Sequence, residues 1–209
     1  MISLPRLYAI VDSSAASSTR DLVAYAEELA AGGCTLLQYR NKSGNARVML
    51  EQARELRRQT RAGAPAPHLC LIMNDRADLC LAAEFDGVHV GQEDLSPGAV
   101  RAIIGAERWL GVSTHNPEQL READLTSADY LAIGPVFATS SKDRPDPVIG
   151  LEGVRRARAL TRKPLVAIGG ITRANAASVI EAGADSVAVI SDLLREPRKS
   201  AEEFFRILR

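Results

Sequence analysis

Eight short apolar segments, each followed by a helical pattern, constrain the fold of this chain more than any other feature. The segments are "LYAIV" (7–11), "TLLQY" (35–39), "LCLIM" (69–73), "GVHV" (87–90), "WLGVS" (109–113), "YLAIG" (130–134), "PLVAI" (164–168) and "SVAVI" (186–190). The clearest helical pattern covers 19–33, where apolar residues recur at intervals of three and four. Strands that alternate with helices predict a parallel sheet.

Closure of that sheet gives an α/β fold of the (β/α)8 (TIM) barrel type, and an open doubly wound sheet is the main alternative. Eight units with no remainder for a second domain favour the barrel, and 209 residues is about the smallest length for it. We therefore expect a single TIM-barrel domain over 1–209. Asp86, Asp129 and Asp185 each precede a strand, which predicts a structural role at the amino-terminal end of the barrel.

Composition argues against several function classes. The formal net charge is zero and aromatic residues make up 4% of the chain, which disfavours a nucleic-acid partner. No segment approaches the roughly 18 to 20 apolar residues of a membrane span. The first apolar run, interrupted by Pro5 and Arg6, does not resemble a signal peptide.

These features predict a cytoplasmic protein without a nucleic-acid or membrane partner, and they leave a homo-oligomer open. The three cysteines, Cys34, Cys70 and Cys80, lack metal-type spacing and are expected to be free thiols.

Polar residues collect where the predicted strands end, which is where barrels of this type carry their active sites. After the second strand, alternation places Gln38, Arg40 and Lys42 on one side. A guanidinium and an ammonium both suit phosphate oxygens, although an exposed basic loop would look the same.

Two carboxylates follow neighbouring strands. Asn74 and Asp75 come after the third strand and Asp94 after the fourth, so the two aspartates can approach each other. Mg²⁺ typically takes one or two protein carboxylates and completes its shell with phosphate oxygens and water. Capping of the following helices is the alternative explanation for each aspartate taken alone.

The later strand ends carry hydroxyls and glycines. Ser113 follows the fifth strand as a candidate ligand-facing hydroxyl, whereas His89, inside the fourth strand, is expected to be satisfied in the core. The irregular segment 134–150 carries Thr139, Ser140, Ser141 and Lys142, which suit an anion that a loop covers. Gly169, Gly170 and Ser191, after the last two strands, occupy the recurrent phosphate-binding position of such barrels.

The ordered set of motifs resembles the thiamine-phosphate synthase family over nearly the whole chain. The matching segments are "LQYRNK", "LIMNDRADLCLAAEFDGVHVGQEDL", "GVSTH", "GPVFATSSK", "AIGGI" and "GADSVAVIS". The family implies a (β/α)8 barrel that joins a pyrimidine methyl diphosphate to a thiazole phosphate with Mg²⁺, giving thiamine phosphate and pyrophosphate.

The resemblance also implies roles for individual residues. It places the pyrimidine diphosphate on Gln38, Arg40, Lys42, Asn74, Ser113 and Lys142, with Arg40, Lys42, Ser113 and Lys142 as the catalytic set. It makes Asp75 and Asp94 the Mg²⁺ ligands. It assigns the thiazole phosphate to Thr139, Ser141, Gly170, Ile190 and Ser191, and Ser140 lies in the same loop.

The chain departs from the family pattern at Tyr39 and Asn41, where Leu and Glu are more usual, and in "ATSSK", where Pro and a second Thr are commoner. Three alternative functions remain. They are the paralogous thiazole tautomerase, a non-catalytic regulator that binds a phosphorylated ligand, and another phosphate-handling barrel isomerase. Asp75, Asp94 and the Gln38–Arg40–Lys42 set favour the synthase over the tautomerase, which has no pyrophosphate to expel. Complete metal and leaving-group sites disfavour the regulator, and the two aspartates disfavour another isomerase.

Overall fold

The protein folds as a closed barrel of parallel strands, in a computed structural model that describes residues 2–62, 69–139 and 146–209. The strands are β1 (Leu7–Asp12), β2 (Leu36–Arg40), β3 (Cys70–Asn74), β4 (Gly87–Val90), β5 (Trp109–Thr114), β6 (Tyr130–Ile133), β7 (Leu165–Ile168) and β8 (Ser186–Val189). Each pairs with its neighbours in chain order, and β8 closes the ring by pairing with β1. The predicted (β/α)8 barrel is confirmed.

A helix follows every strand. The helices are α1 (Thr19–Ala31), α2 (Ala46–Ala62), α3 (Ala77–Ala82), α4 (Pro97–Ile104), α5 (Pro117–Asp124), α6 (Gly150–Leu160), α7 (Ala176–Glu181) and α8 (Pro197–Ile207). Two short 3-10 helices, Ser13–Ala15 and Ser191–Leu193, were not predicted. No helix among the described residues is long and apolar enough to cross a membrane.

Local sequence explains where several helices begin. The Ser18 hydroxyl accepts the Asp21 N–H at the start of α1, and the Asn116 side chain accepts the Gln119 N–H at the start of α5. Pro97 opens α4 and Pro117 opens α5, at positions where the missing N–H has no cost. Caps of this kind satisfy backbone donors that a helix cannot pair internally.

Strand alternation divides the apolar residues into two cores. The larger core lies between the sheet and the helices and includes Leu37, Val88 and Val187. The smaller core fills the barrel, with buried Tyr8, Ile10, Leu36, Ile72, Tyr130, Ala132, Val166 and Ala188. Successive side chains of a strand point to opposite faces. Asp12 lies two residues after the interior Ile10, so its side chain points to the barrel interior at the carboxyl end of β1. We call this end the mouth and the opposite end the base.

The base is held by a repeated ion-pair arrangement. The carboxylates of Asp86, Asp129 and Asp185 accept the backbone N–H groups of Leu71 (2.7 Å), Leu110 (2.8 Å) and Leu165 (2.8 Å). Each carboxylate also pairs with a guanidinium, from Arg57 (2.7 Å), Arg101 (2.6 Å) and Arg158 (2.8 Å) in turn. The predicted structural role of the three aspartates is confirmed.

Candidate active site

Arg40 is held at the mouth by Asp12. The Arg40 guanidinium forms an ion pair with the Asp12 carboxylate, whose other oxygen accepts the backbone N–H of Ser14 (2.9 Å) and its hydroxyl (2.7 Å). Burial alone would raise the pKa of Asp12, but the hydrogen bonds from Ser14 and the Arg40 charge outweigh it and lower that pKa. The sequence left Asp12 unassigned, and the structure makes it the anchor of a cation at the mouth.

The other residues of the β2 end divide between the two faces of the strand. Gln38 lies inside the barrel, where its Nε2 donates to the Tyr8 hydroxyl at 2.9 Å. Tyr39 and Asn41 lie on the outer side, where both bond to the Gln52 side chain and Asn41 donates to the Tyr39 hydroxyl. Tyr39 and Asn41, two of the departures from the family pattern, therefore form one network with α2, away from the mouth.

Asp75 adopts a backbone conformation that L-residues rarely take. Its φ is 63°, and its N–H donates to the His89 carbonyl at 2.8 Å, which joins the ends of β3 and β4. Its carboxylate lies 2.5 Å from the Lys42 ammonium. Unusual backbone angles outside glycine concentrate at functional sites.

Asp94 is the second carboxylate at this point. Its Oδ2 accepts the Gly91 N–H at 2.7 Å, which fixes it just beyond β4. Burial raises the pKa of Asp75; Lys42 opposes that rise, and the neighbouring Asp94 carboxylate adds to it. A cation bound between the two carboxylates would reduce the repulsion between them.

The donor set fits a magnesium ion better than a transition metal. Among the described residues, no group of three or more His, Cys, Asp or Glu side chains converges on a common point. Zinc in proteins usually takes three or four such ligands, whereas Mg²⁺ uses one or two carboxylates together with water and substrate phosphate.

Asn74 presents an unused donor beside this pair. Its side chain is buried, and its Nδ2 has no hydrogen-bond partner among the described residues. Buried polar atoms are normally paired. The unpaired amide nitrogen of Asn74, at the end of β3, can therefore donate to an acceptor atom of a ligand.

Ser113 is oriented by two polar side chains. The His89 ring nitrogen Nε2 lies 2.8 Å from the Ser113 hydroxyl, and the Gln92 amide donates to the Ser113 carbonyl at 2.6 Å. His89 is buried, and its other ring nitrogen contacts the Tyr130 hydroxyl at 3.1 Å. The expectation that this histidine is satisfied in the core is confirmed.

The double glycine has a packing explanation in addition to its predicted ligand role. Gly170 has a φ of 62°, and a Cβ there would lie 2.4 Å from the Ala138 carbonyl oxygen. The Phe137 N–H donates to the Gly169 carbonyl at 3.0 Å, so the segment after β6 lies directly on the segment after β7. Thr139 continues that segment and is half-buried.

The last two strand ends are tied together by Arg173. Its backbone N–H donates to the Asp192 carboxylate at 2.8 Å, and its guanidinium pairs with Asp192 and Glu203. Ile190 lies against the inner core and Ser191 is exposed beside it. Sequence reasoning missed Arg173 and Asp192, whose contact depends on how two loops meet.

Three predicted residues, Ser140, Ser141 and Lys142, lie outside the described residues. The structure brings the remaining ones to the mouth or to the strand ends around it. A cavity of about 1000 Å³ opens at the base instead, lined in part by Cys70, Glu107 and Trp109. The candidate site is defined by the polar groups that converge at the mouth, the end at which barrels of this type carry their active sites.

Comparisons with known proteins identify the family of this chain. A profile of the family described as thiamine monophosphate synthase matches residues 7–193. The thiamine-phosphate synthase of Koribacter versatilis is 60% identical over 210 residues, which cover 99% of this chain and 97% of that protein. The thiamine-phosphate synthase of Chloroflexus aurantiacus is 47% identical over 187 residues, covering 89% and 83%.

A solved structure extends the likeness to three dimensions. The thiamine phosphate pyrophosphorylase of Pyrococcus furiosus superposes with a TM-score of 0.84 at 35% identity, covering 97% of this chain and 95% of that one. The chain therefore belongs to the thiamine monophosphate synthase family and is a transferase of thiamine biosynthesis.

Proposed function

We propose that the mouth of the barrel transfers the 4-amino-2-methylpyrimidin-5-ylmethyl group from its diphosphate to a thiazole nitrogen. The acceptor is 4-methyl-5-(2-phosphoethyl)thiazole, which gives thiamine phosphate and pyrophosphate, or its carboxylated form, which gives the same two products together with carbon dioxide. The methylene C–O bond breaks, pyrophosphate leaves with its electron pair, and the thiazole nitrogen supplies the pair for the new C–N bond. The observation that carries the proposal is that Asp75 lies beside both Asp94 and Lys42, with Arg40 also at the mouth.

Leaving-group stabilisation is the largest demand of this reaction, because negative charge develops on the pyrophosphate. Arg40 offers a planar fork held in place by Asp12, and Lys42 offers an ammonium at the Asp75 carboxylate. Lys142, outside the described residues, is proposed as the third cation. Fixed charges of this kind lower the barrier because they need no rearrangement when the bond breaks.

Asp75 and Asp94 would hold Mg²⁺, which would supply positive charge to the leaving diphosphate. The rise in the Asp75 pKa caused by burial and by Asp94 supports that assignment, since a cation at this point would favour the ionised carboxylate. Lys42 pairs with the Asp75 carboxylate, and its ammonium would turn to the diphosphate when Mg²⁺ and substrate bind, before the C–O bond breaks.

Two neutral groups would position the pyrimidine diphosphate. The unpaired Asn74 amide nitrogen can donate, and so can the Ser113 hydroxyl, which His89 fixes. Gln38 extends the same interior face toward the core. Two substrates held in contact gain much of their rate from proximity alone, so the chain needs no strong nucleophile.

The thiazole phosphate would bind at the ends of β6, β7 and β8. Gly170, Ile190 and Ser191 line the proposed subsite from two loops that Arg173 ties together. Thr139 belongs to the same subsite, with Ser140 and Ser141 as further hydroxyls in the undescribed part of the loop.

We further propose a cytoplasmic, single-domain protein over 1–209 that acts on small molecules, with no nucleic-acid or membrane partner. A homo-oligomer is compatible with this proposal.

The direct test supplies both substrates to the protein with Mg²⁺ or with EDTA, and measures thiamine phosphate and pyrophosphate. We expect equal amounts of both products, formed only with the metal. Full turnover in EDTA would remove the proposed metal role. Isomerisation of the thiazole without pyrophosphate would identify the tautomerase, and ligand binding without any product would identify a non-catalytic regulator.

A further inference from the structure

A chain of hydrogen bonds runs through the barrel interior from Gln38 to Ser113. The Gln38 Nε2 donates to the Tyr8 hydroxyl at 2.9 Å, and the Tyr8 and Tyr130 hydroxyls are 3.0 Å apart. The Tyr130 hydroxyl lies 3.1 Å from His89 Nδ1, and His89 Nε2 lies 2.8 Å from the Ser113 hydroxyl. Five side chains from five strands therefore form one continuous path that ends at the mouth.

Burial makes the direction of each bond in this path significant. Tyr8, Gln38, His89 and Tyr130 are at most 7% exposed, whereas Ser113 is partly exposed. A buried hydroxyl hydrogen without an acceptor is costly, so each hydrogen has to point at the next group along the path.

The direction is set at the Gln38 end. The amide nitrogen can only donate, so the Tyr8 oxygen accepts from it and its own hydrogen points at Tyr130. Tyr130 then donates to His89 Nδ1. In the opposite order, the Tyr8 hydrogen would have no acceptor among the hydrogen bonds of the described residues.

The direction of the bond at His89 Nδ1 determines which atom donates between His89 Nε2 and Ser113. An imidazole ring carries at least one hydrogen, and Nδ1, which accepts the Tyr130 hydroxyl hydrogen, carries none. A ring that accepts at Nδ1 carries that hydrogen on Nε2 and donates it to the Ser113 oxygen. The Ser113 hydroxyl hydrogen is then not used by the protein path and can point outward.

We propose that this path fixes His89 as its Nε2–H tautomer and thereby presents the Ser113 hydroxyl as a donor to an anionic group at the mouth. Tyr8, Tyr130 and His89 act as positioning residues through Ser113. That the anion is the diphosphate of the pyrimidine substrate rests on the proposed function.

Gly111 shows that the barrel is built around this path. A Cβ at Gly111 would lie 2.1 Å from the Tyr130 ring and 2.4 Å from His89 Nδ1, closer than any real contact. The Tyr130 and His89 rings have centroids 5.5 Å apart in that space. A larger residue on β5 would remove the contact that joins the tyrosine pair to the histidine.

The first test is the ring state of His89 in the ligand-free protein at neutral pH. Nitrogen NMR of ring-labelled protein distinguishes a protonated Nε2 from a protonated Nδ1, and the chain has three histidines, so His89→Gln identifies the signal. We expect Nε2–H in the wild type and a mixture of tautomers in Tyr130→Phe, which keeps the ring and removes the donor. An Nδ1–H ring in the wild type, or a tautomer unchanged in Tyr130→Phe, would overturn the proposal.

The second test is kinetic. In Tyr130→Phe we expect kcat/KM for the pyrimidine diphosphate to fall about tenfold, the effect of one hydrogen bond, with KM for the thiazole phosphate unchanged. Tyr8→Phe, one bond further from Ser113, should lose less. Equal losses for both substrates would indicate a general structural effect and contradict the proposal.

Conservative replacements of His89 supply a rescue test. His89→Gln can place an amide N–H near the position of Nε2, so it should keep more activity than His89→Asn, whose amide is too short to reach Ser113. Equal activity of the two variants, with equal melting temperatures, would contradict the positioning role. If the wild type forms no thiamine phosphate, the proposed function fails, while the NMR result still decides the tautomer.

Discussion

Aspartates at the two ends of the barrel have opposite surroundings. At the base, Asp86, Asp129 and Asp185 each accept a backbone N–H and pair with one arginine. At the mouth, Asp75 and Asp94 lie beside each other, and burial raises the Asp75 pKa despite Lys42. The difference lies in the donors around each carboxylate. The base supplies enough donors to satisfy the charge of each carboxylate, whereas the mouth retains negative charge that can bind a cation.

The largest effect should come from Asp75→Asn. We expect thiamine phosphate formation to fall roughly 100-fold or more, because the change removes a charge that acts on the leaving group. The melting temperature should stay the same or rise, because burial disfavours the ionised Asp75. Pyrophosphate release and thermal unfolding of the same preparation measure the two effects.

Asp78→Asn is the matched control for that variant. Asp78 lies three residues further along, pairs with Arg76 and has a side chain that is 62% exposed. It should keep full activity. Comparable losses in the two variants would show that any charge change in this segment matters, and the contrast between the two ends would lose its basis.

The reverse pattern is expected for Asp86→Ala at the base. The Arg57 side chain is only 6% exposed and would lose its carboxylate, as would the Leu71 N–H. We expect the free energy of unfolding to fall by about 2–3 kcal/mol, with kcat and KM unchanged for the folded fraction. Denaturant titration and steady-state kinetics check both parts. A kcat that falls with stability intact would contradict a purely structural base.

Asp12 combines features of the two groups, since it lies at the mouth and is already paired. Asp12→Asn keeps an oxygen for the Ser14 N–H and removes the charge that holds Arg40. We expect kcat/KM for the pyrimidine diphosphate to fall about tenfold, roughly 1.4 kcal/mol, as Arg40 loses its fixed position. Unchanged kinetics would show that Arg40 needs no anchor.

The smallest effect should come from Asp185→Ala. The Asp185 side chain is 47% exposed, so solvent screens its pair with Arg158. We expect the free energy of unfolding to fall by about 1 kcal/mol, and less at high salt. A loss as large as that of Asp86→Ala would mean that the backbone bond to Leu165, not the ion pair, carries the stability at the base.

The sequence was sufficient for the parts of this molecule that depend on periodicity. Alternation of strand and helix predicted the barrel, and it located Arg40, Asn74, Asp75 and Ser113 at strand ends, because parallel strands bring those ends together. Arg40, Asn74, Asp75 and Ser113 could be found from sequence because each lies within an apolar run or no more than two residues beyond one.

Contacts between distant segments were not predictable in this way. The Asp12–Arg40 pair depends on the register that sets Asp12 opposite Arg40, and the Arg173–Asp192 pair depends on how two loops meet. The path through Tyr8, Tyr130 and His89 joins three strands, and in the sequence these three side chains resemble ordinary core residues. The double glycine was identified, but its close packing against residues 137–138 required the structure.

The central claim is that Asp75 and Asp94 bind a cation together with a diphosphate at the mouth. Calorimetric titration of the protein with pyrophosphate, with and without Mg²⁺, tests it without depending on turnover. We predict tight binding only when Mg²⁺ is present, lost in Asp75→Asn and preserved in Asp86→Ala. Binding of pyrophosphate that is equally tight without the metal, or that survives in Asp75→Asn, would contradict the account.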